Sequence, residues 1–376
     1  MKRRQFARQA AIATASATLA ACTQKAAPTI SSQAAVSETP MIRWRMATSW
    51  TKSIPIVFSG AEIIVQRVAE MTNGRFVITP YAADEIVSGL KVMDAVQAGT
   101  VECGHTLSYY YTQKNPALAF ASTMPFGLTA YQQNAWMYEG GGLEALNQVY
   151  AAFGLIGFPA GNTGVQMGGW FNRQVNTVAD LKGLKMRIPG LGGQVLAKLG
   201  VEVKLLAGGQ IYAALEKGEI DAAEWQGPND DENLGLDRVA SFYYYPGWWE
   251  PGTNYAVLIN LQEWNQLPQR YQQIFQAAAA EANLKVLAQY DMANSERLNQ
   301  LLAKGTQLLP FNSEILKAAH KTAFEIYEEL AIEHAEFKKI YQNWNEFRSQ
   351  IHQWNRINEL SFSSFAINRN QPSSLS

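Results

Sequence analysis

Arg187 closes an otherwise apolar run, Leu184-Lys185-Met186-Arg187-Ile188, just before Pro189-Gly190. A guanidinium holds its donors in a planar fork that grips a carboxylate through two parallel hydrogen bonds, a geometry the lysine ammonium lacks. The same residue could equally serve a structural ion pair with a nearby Asp or Glu. Glu224-Trp225 is the second position of interest, because a carboxylate at the end of a buried strand is expensive unless something positive meets it. Gln166, within GNTGVQMGGW, and Glu250, within GWWEPG, add oxygen donors among glycines and aromatics. Oxygen-only donors suit a hard cation such as calcium or sodium; the plainer reading of Glu250 is a solvated loop acid. Tyr109-Tyr110-Tyr111, Tyr243-Tyr244-Tyr245 and Trp248-Trp249 can wall a cleft and offer hydroxyls that orient a ligand, although part of any such cluster is ordinary core.

Other chemistries are missing. The chain has no G-x-S-x-G, P-loop, C-x-x-C or H-E-x-x-H pattern. His320, His334 and His352 fall in the C-terminal part, which reads as helix, and His105 stands by itself near the other candidates. A lone histidine there is explained more readily by packing or ligand contact than by general-base catalysis, which needs a partnered group. The glycines at 140–142 and 190–193 lack the spacing of a dinucleotide fingerprint.

The elements that must position these residues repeat. A strand over 43–48 precedes an amphipathic helix with Ile63, Ile64, Val68 and Met71 on one face, a strand over 76–79, a helix near 88–98 and a strand over 101–104. The order recurs as a strand over 184–188, a helix over 191–199, a strand over 201–206, a helix over 209–217 and a strand over 220–224. MDAVQAGTVECGH (93–105) and YAALEKGEIDAAE (212–224) place a glycine at the same offset between helix and strand, as a helix C-cap requires. Two such units predict two similar α/β lobes. Open α/β sheets bind ligands beyond the carboxyl ends of their strands, so residues 105–111 and 224–229 should face a common cleft. Residues 262–305 and 312–358 read as packing and bridging helices, and 361–376 as a polar, frayed tail.

A chain of 376 residues suits two lobes, and no apolar run beyond the N-terminus is long enough to cross a membrane. Residues 1–22 read as an export signal: Lys2, Arg3, Arg4 and Arg8 precede a short apolar stretch, and Leu19-Ala20-Ala21-Cys22 matches a lipobox whose Cys22 would be lipidated. Arg3-Arg4-Gln5-Phe6 also resembles a twin-arginine signal. Residues 23–41 form a small, polar tether. Taking four of the 31 basic residues away with the signal leaves 27 against 32 acidic ones, a poor balance for nucleic acid. Cys103 is the remaining cysteine, so no disulfide is expected within the mature domain.

Residues 42–350 resemble the substrate-binding proteins of tripartite ATP-independent periplasmic (TRAP) transporters, of the dicarboxylate-binder type. The resemblance rests on ADLKGLKMRIPG (179–190), the helix–Gly–Glu-Ile-DAAEW unit (215–225) and YYYPGWWEPG (243–252), and it is nearest to the subgroup that takes 2-oxo acids or lactate with a metal ion. It implies an α/β, two-lobe periplasmic-binding-protein-like fold with a hinge, crossing strands and a long bridging helix. The expected lobes are 42–164 with 253–292, and 165–252 with 293–360. It further implies that Arg187 holds the substrate carboxylate, that Gln166, Glu224 and the Trp225 carbonyl ligate the cation, and that Asn162 and a tyrosine among Tyr109, Tyr110 and Tyr111 touch the substrate. Glu250 stands where some relatives carry a neutral amide. Arg187, Glu224, Glu250 and a monocarboxylate in one cleft would leave two net negative charges, which calcium neutralises and sodium does not; calcium is therefore the expected ion.

The expected function is an extracytoplasmic receptor, tethered to a membrane by lipid, that delivers a 2-oxo or 2-hydroxy monocarboxylate such as pyruvate or lactate to a TRAP permease without transforming it. Alternatives are a receptor for a dicarboxylate or acidic amino acid such as malate or glutamate, and, from another class, a metal-assisted lyase or hydrolase using Glu224 and Glu250. A structural envelope lipoprotein is a further rival. The long C-terminal helices could support a homodimer.

Overall fold

The computed structural model describes residues 40–369. Cys22, the arginine-rich signal and residues 23–39 of the tether lie outside the described residues, as do 370–376. The strands in chain order are β1 (Ile42–Thr48), β2 (Phe76–Tyr81), β3 (Cys103–Thr106), β4 (Leu155–Asn162), β5 (Trp170–Phe171), β6 (Lys185–Arg187), β7 (Glu202–Lys204), β8 (Ala222–Ala223), β9 (Phe242–Tyr245), β10 (Asn254–Asn260) and β11 (Gln307–Pro310). They form two sheets, ordered β2-β1-β3-β10-β4 and β11-β9-β5-β8-β6-β7.

The internal repeat is visible in this order. In the first sheet β1 lies between β2 and β3, parallel to both; in the second β6 lies between β7 and β8, again parallel to both. The connecting helices are Pro55–Met71 and Val92–Gln97 in one unit, Gly190–Lys198 and Gly208–Glu216 in the other. Gly99 (φ 70°) and Gly218 (φ 67°) are both left-handed. Each donates its N–H three residues back, to Val96 and Leu215, while the next residue reaches back to Ala95 and Ala214. A side chain would be strained at either position, so the shared glycine is a requirement of the repeated cap.

The chain passes between the sheets three times, once along the helical run 261–303 and twice as non-helical segments at residues 163–169 and 246–253. The two non-helical crossings pair through backbone bonds: Thr163 N to Thr253 O (3.0 Å), Gln166 N to Glu250 O (3.1 Å) and Gly247 N to Gln166 O (2.8 Å). Gly247 permits the approach, since a Cβ there would stand 2.5 Å from the Met167 carbonyl oxygen. The helix Gln269–Ala303 serves both halves. Its first part buries Tyr271, Phe275, Ala278 and Ala282 against the first sheet, and its second part buries Val286, Tyr290 and Leu301 in a core shared with Trp170 and Tyr243 of the second. Its small and large apolar residues recur at helical spacing, and full burial of a side chain such as Phe275 contributes about 1.5–3 kcal/mol.

The long runs expected after residue 262 are divided into Leu261–Gln266, Gln269–Ala303, Ser313–Glu333 and Ala335–Ile357, the first break falling at Pro268, which suits a helix start better than an interior. The expectation of a frayed tail from 361 is corrected: Glu359–Arg369 is a helix. The segment has no Gly or Pro, and Glu359 in its first turn complements the helix dipole; its serines made it read as coil.

His105 settles into packing. Trp50 Nε1 donates to its Nδ1 (2.7 Å), and its Nε2 lies 3.0 Å from the Ala160 carbonyl oxygen, which can only accept. Both contacts hold the neutral ring, and burial lowers its pKa to about 4. A depressed folded pKa contributes stability that is present above the unfolded value of about 6.5 and lost as pH falls through about 4. The stability gap between the wild type and His105→Asn is therefore expected to shrink by roughly 3 kcal/mol between pH 7 and pH 4. Denaturant titration of both proteins at the two pH values checks it; a constant gap would mean that the ring titrates normally in the folded state.

Candidate functional site

Parallel pairing of β6 with β8 sets Arg187 beside Ala223, and Glu224 N donates to Arg187 O (3.1 Å). Arg187 and Glu224 thus share the carboxyl ends of two neighbouring strands. Tyr109 and Tyr110 arrive on the short turn Ser108–Tyr111 that follows β3, and the paired crossings bring Gln166 next to Glu250. Arg187, Gln166, Trp225, Tyr109 and Tyr110 line one narrow cleft, together with Trp50, Leu107, Gln226 and Tyr255.

Arg187 is 1% exposed and Glu224 fully buried. The guanidinium donates from Nε to Leu206 O (3.1 Å) and from Nη1 to Glu224 O (2.9 Å) and to Glu224 Oε1. It also lies 5.1 Å above the Trp225 ring, a cation–π contact. Arg187 thus forms the structural ion pair with Glu224, and its Nη2 remains without a partner. Gln166 Oε1 and Glu224 Oε2 are likewise buried and unpaired. Such atoms are rare in folded proteins and call for a ligand, ion or water.

Charge points the same way. Burial first, and then the neighbouring Glu250 charge, hold Glu224 well above the usual carboxylate range despite Arg187. Burial pushes Glu250 up to about 7, against the lowering influence of Thr253 and Arg187. Glu250 is no solvated loop acid: it is buried, and its Oε2 accepts from Thr253 Oγ1 (2.8 Å) and the Tyr109 hydroxyl (3.4 Å). Two buried acids beside a single guanidinium are short of positive charge. Among the described residues no three His, Cys, Asp or Glu side chains gather into a metal cage. The donors at hand are an amide oxygen, carboxylates and backbone carbonyls, which fit a hard cation.

Glu224 and Glu250 stand behind the cleft lining, and Asn162 is drawn elsewhere. Its Nδ2 donates to Asn254 Oδ1 (2.6 Å) and Gly252 O (3.3 Å), while its Oδ1 accepts from Gly164 N (2.9 Å). That side chain fastens the start of one crossing to the end of the other. Tyr111 hydrogen-bonds Met93 N and Thr106 (3.1 and 3.0 Å). Tyr243 stacks on Trp170 (4.2 Å) and donates to Asp231 (2.7 Å), and Trp248 stacks on Phe126 (5.0 Å); these aromatics are core. Leu107 and Gln226 fall within the segments 105–111 and 224–229 expected to face the cleft, although neither was singled out, and Trp50 and Tyr255 were missed. Trp50 follows β1 as Leu107 follows β3, and Gln226 follows Trp225, so the strand-end rule covers them; Tyr255 lies on an antiparallel strand and gave no such signal.

Trp225 is seated on a glycine. A Cβ at Gly208 would lie 2.5 Å from the far edge of the indole, so Gly208→Ala is expected to push the ring into the cleft. Overpacking of this kind costs about 1–3 kcal/mol. Isothermal titration should show ligand affinity falling about tenfold, while circular dichroism reports an intact fold; unchanged affinity would show that the ring position is immaterial.

Residues 46–334 match the family model described as bacterial extracellular solute-binding protein, family 7. The chain belongs to this family. It is similar to a monocarboxylate 2-oxoacid-binding periplasmic protein of a Nostoc strain, 60% identical over 97% of this chain and 99% of that protein. Among solved structures, this solute-binding protein resembles a TRAP transporter solute-binding protein of Bordetella bronchiseptica with copurified calcium and picolinate, at 42% identity and a TM-score of 0.87, covering 89% of this chain and all of that one. It also resembles one from Pseudoalteromonas atlantica with bound sodium and pyruvate, at 36% identity and a TM-score of 0.84, covering 86% and 98%.

Proposed function

We propose that this protein is the extracytoplasmic solute receptor of a TRAP transporter, taking a 2-oxo or 2-hydroxy monocarboxylate together with a metal cation and passing it unchanged to a membrane permease. The observation that carries the reading is that the cleft lining and the ion pair behind it leave buried polar atoms of both kinds unpaired: Arg187 Nη2, a donor, and Gln166 Oε1 and Glu224 Oε2, two acceptors. A carboxylate answers the donor and a cation answers the acceptors. Arg187 would grip the carboxylate; Gln166, Glu224 and the Trp225 carbonyl would hold the ion, with Glu250 supplying further negative charge. Aromatic burial by Tyr109, Tyr110 and Trp225 adds the apolar contribution. Asn162, tied to both crossings, would act by fixing their pairing.

Calcium is favoured because two buried acids and a bound monocarboxylate outnumber one guanidinium by two charges. Among the described residues lining the cleft the cationic side chain is Arg187, so the cleft offers a dicarboxylate no second cation. The two sheets would form two lobes that close about the paired crossings, as binding proteins of this kind do. Export and lipidation at Cys22 complete the reading, the relatives' periplasmic setting supporting the first.

Native mass spectrometry of the protein purified without denaturation tests it. An added mass equal to a small 2-oxo or 2-hydroxy acid plus calcium, shed after chelation, is expected. A protein that carries no acid, and that binds none when both calcium and pyruvate are supplied, would refute the assignment.

A further inference from the structure

Gln226 is 4% exposed and lines the cleft. Its backbone is pinned, with N donating to Asp231 Oδ1 (3.1 Å) and O accepting from Met167 N (2.9 Å). Its side chain is also pinned on one side, because the Tyr255 hydroxyl donates to Oε1 (2.7 Å). The Tyr290 hydroxyl is committed to Asp230 Oδ2 (2.8 Å), so the single Tyr255 proton is left for the amide. With its oxygen held by Tyr255, the amide turns its nitrogen to the remaining side, and Nε2 is buried with no partner. Gln226 thus supplies an oriented neutral donor that neither the guanidinium nor the cation-binding oxygens account for.

We propose that Gln226 is a specificity-determining residue of this cleft, selecting a short 2-oxo acid whose third carbon bears a neutral oxygen acceptor such as a hydroxyl. The inference rests on the receptor reading given above, in which Arg187 takes the carboxylate and the cation lies between Gln166 and Glu224. A ligand with only hydrogens on that carbon leaves the amide nitrogen unpaired away from water. Sites built to bond a substrate oxygen reject the analogue lacking it more strongly than apolar pockets reject a missing methylene. A second carboxylate is a worse match, because the donor is uncharged.

Hydroxypyruvate and 2-oxobutyrate have the same number of heavy atoms and differ at the relevant group. Titration calorimetry of the calcium-loaded, full-length wild type is expected to show tighter binding of hydroxypyruvate by about tenfold. Gln226→Leu should abolish or invert that ratio, mainly by weakening hydroxypyruvate. Tyr255→Phe, which keeps the ring and removes the hydroxyl, should lower the ratio part of the way, and serves if the leucine variant does not fold. Equal wild-type affinities, or a ratio unmoved in a folded variant, overturn the role of Gln226 while leaving the receptor reading intact. Failure of the wild type to bind either acid with calcium present overturns the receptor reading itself.

Discussion

Arg187→Ala is expected to reduce affinity for a 2-oxo acid on the order of a thousandfold, the scale of removing one partner from a buried charge-assisted pair. It should also destabilise the fold by about 3–5 kcal/mol, because Glu224 would be left buried without its counter-charge. The two effects separate in a cycle. Arg187→Ala combined with Glu224→Gln removes the orphaned charge, so stability should recover in large part while binding does not. Arg187→Lys keeps the charge and loses the fork that reaches Leu206 O, Glu224 and the free Nη2 direction simultaneously; binding should remain poor. Calorimetry and denaturant titration of the four proteins read both quantities. Near-wild-type affinity in the folded alanine variant would remove Arg187 from the recognition of the carboxylate.

Removal of the cation should have the next largest effect. After exhaustive chelation, affinity for pyruvate is expected to fall on the order of a hundredfold, and calcium should restore it more fully than sodium. The electrostatic reason is local: burial holds Glu250 at about 7 and, with the Glu250 charge, holds Glu224 well above the usual carboxylate range, as happens where negative charge lacks compensation. Glu224→Gln preserves the shape, removes one of those charges and should make the remaining binding insensitive to chelator. The added metal can be followed by native mass spectrometry independently of the acid. Unaltered pyruvate affinity after verified metal loss would exclude a cation from the site.

The repeat was legible because helix and strand periods, and the left-handed glycines at 99 and 218, are local properties that chain chemistry imposes wherever the segment lies. The strand-end rule then located residues 105–111 and 224–229 near a cleft and set Arg187 and Glu224 each at a strand end; that these two strands are neighbours came from the structure. It carried no information on which way individual side chains turn. Asn162 was expected at a ligand and instead ties Gly164 to Asn254; Glu250 was open to reading as a solvated acid and is buried; Tyr255 was not singled out. Each of these depends on the pairing of two crossings about ninety residues apart in sequence.

Sequence by itself determined the residue types able to bind an anion and a hard cation, the two repeated α/β units, and the absence of a recognisable nucleophile motif. Tertiary structure decided which of those residues meet, that Arg187 spends one nitrogen on Glu224 and keeps another, and that Gln226 points a free donor where none was sought. The physical reason is that local periodicity is set by neighbouring residues along the chain. The pairing of a buried polar atom is set by whatever distant backbone or side chain the packing of both sheets brings within hydrogen-bond reach.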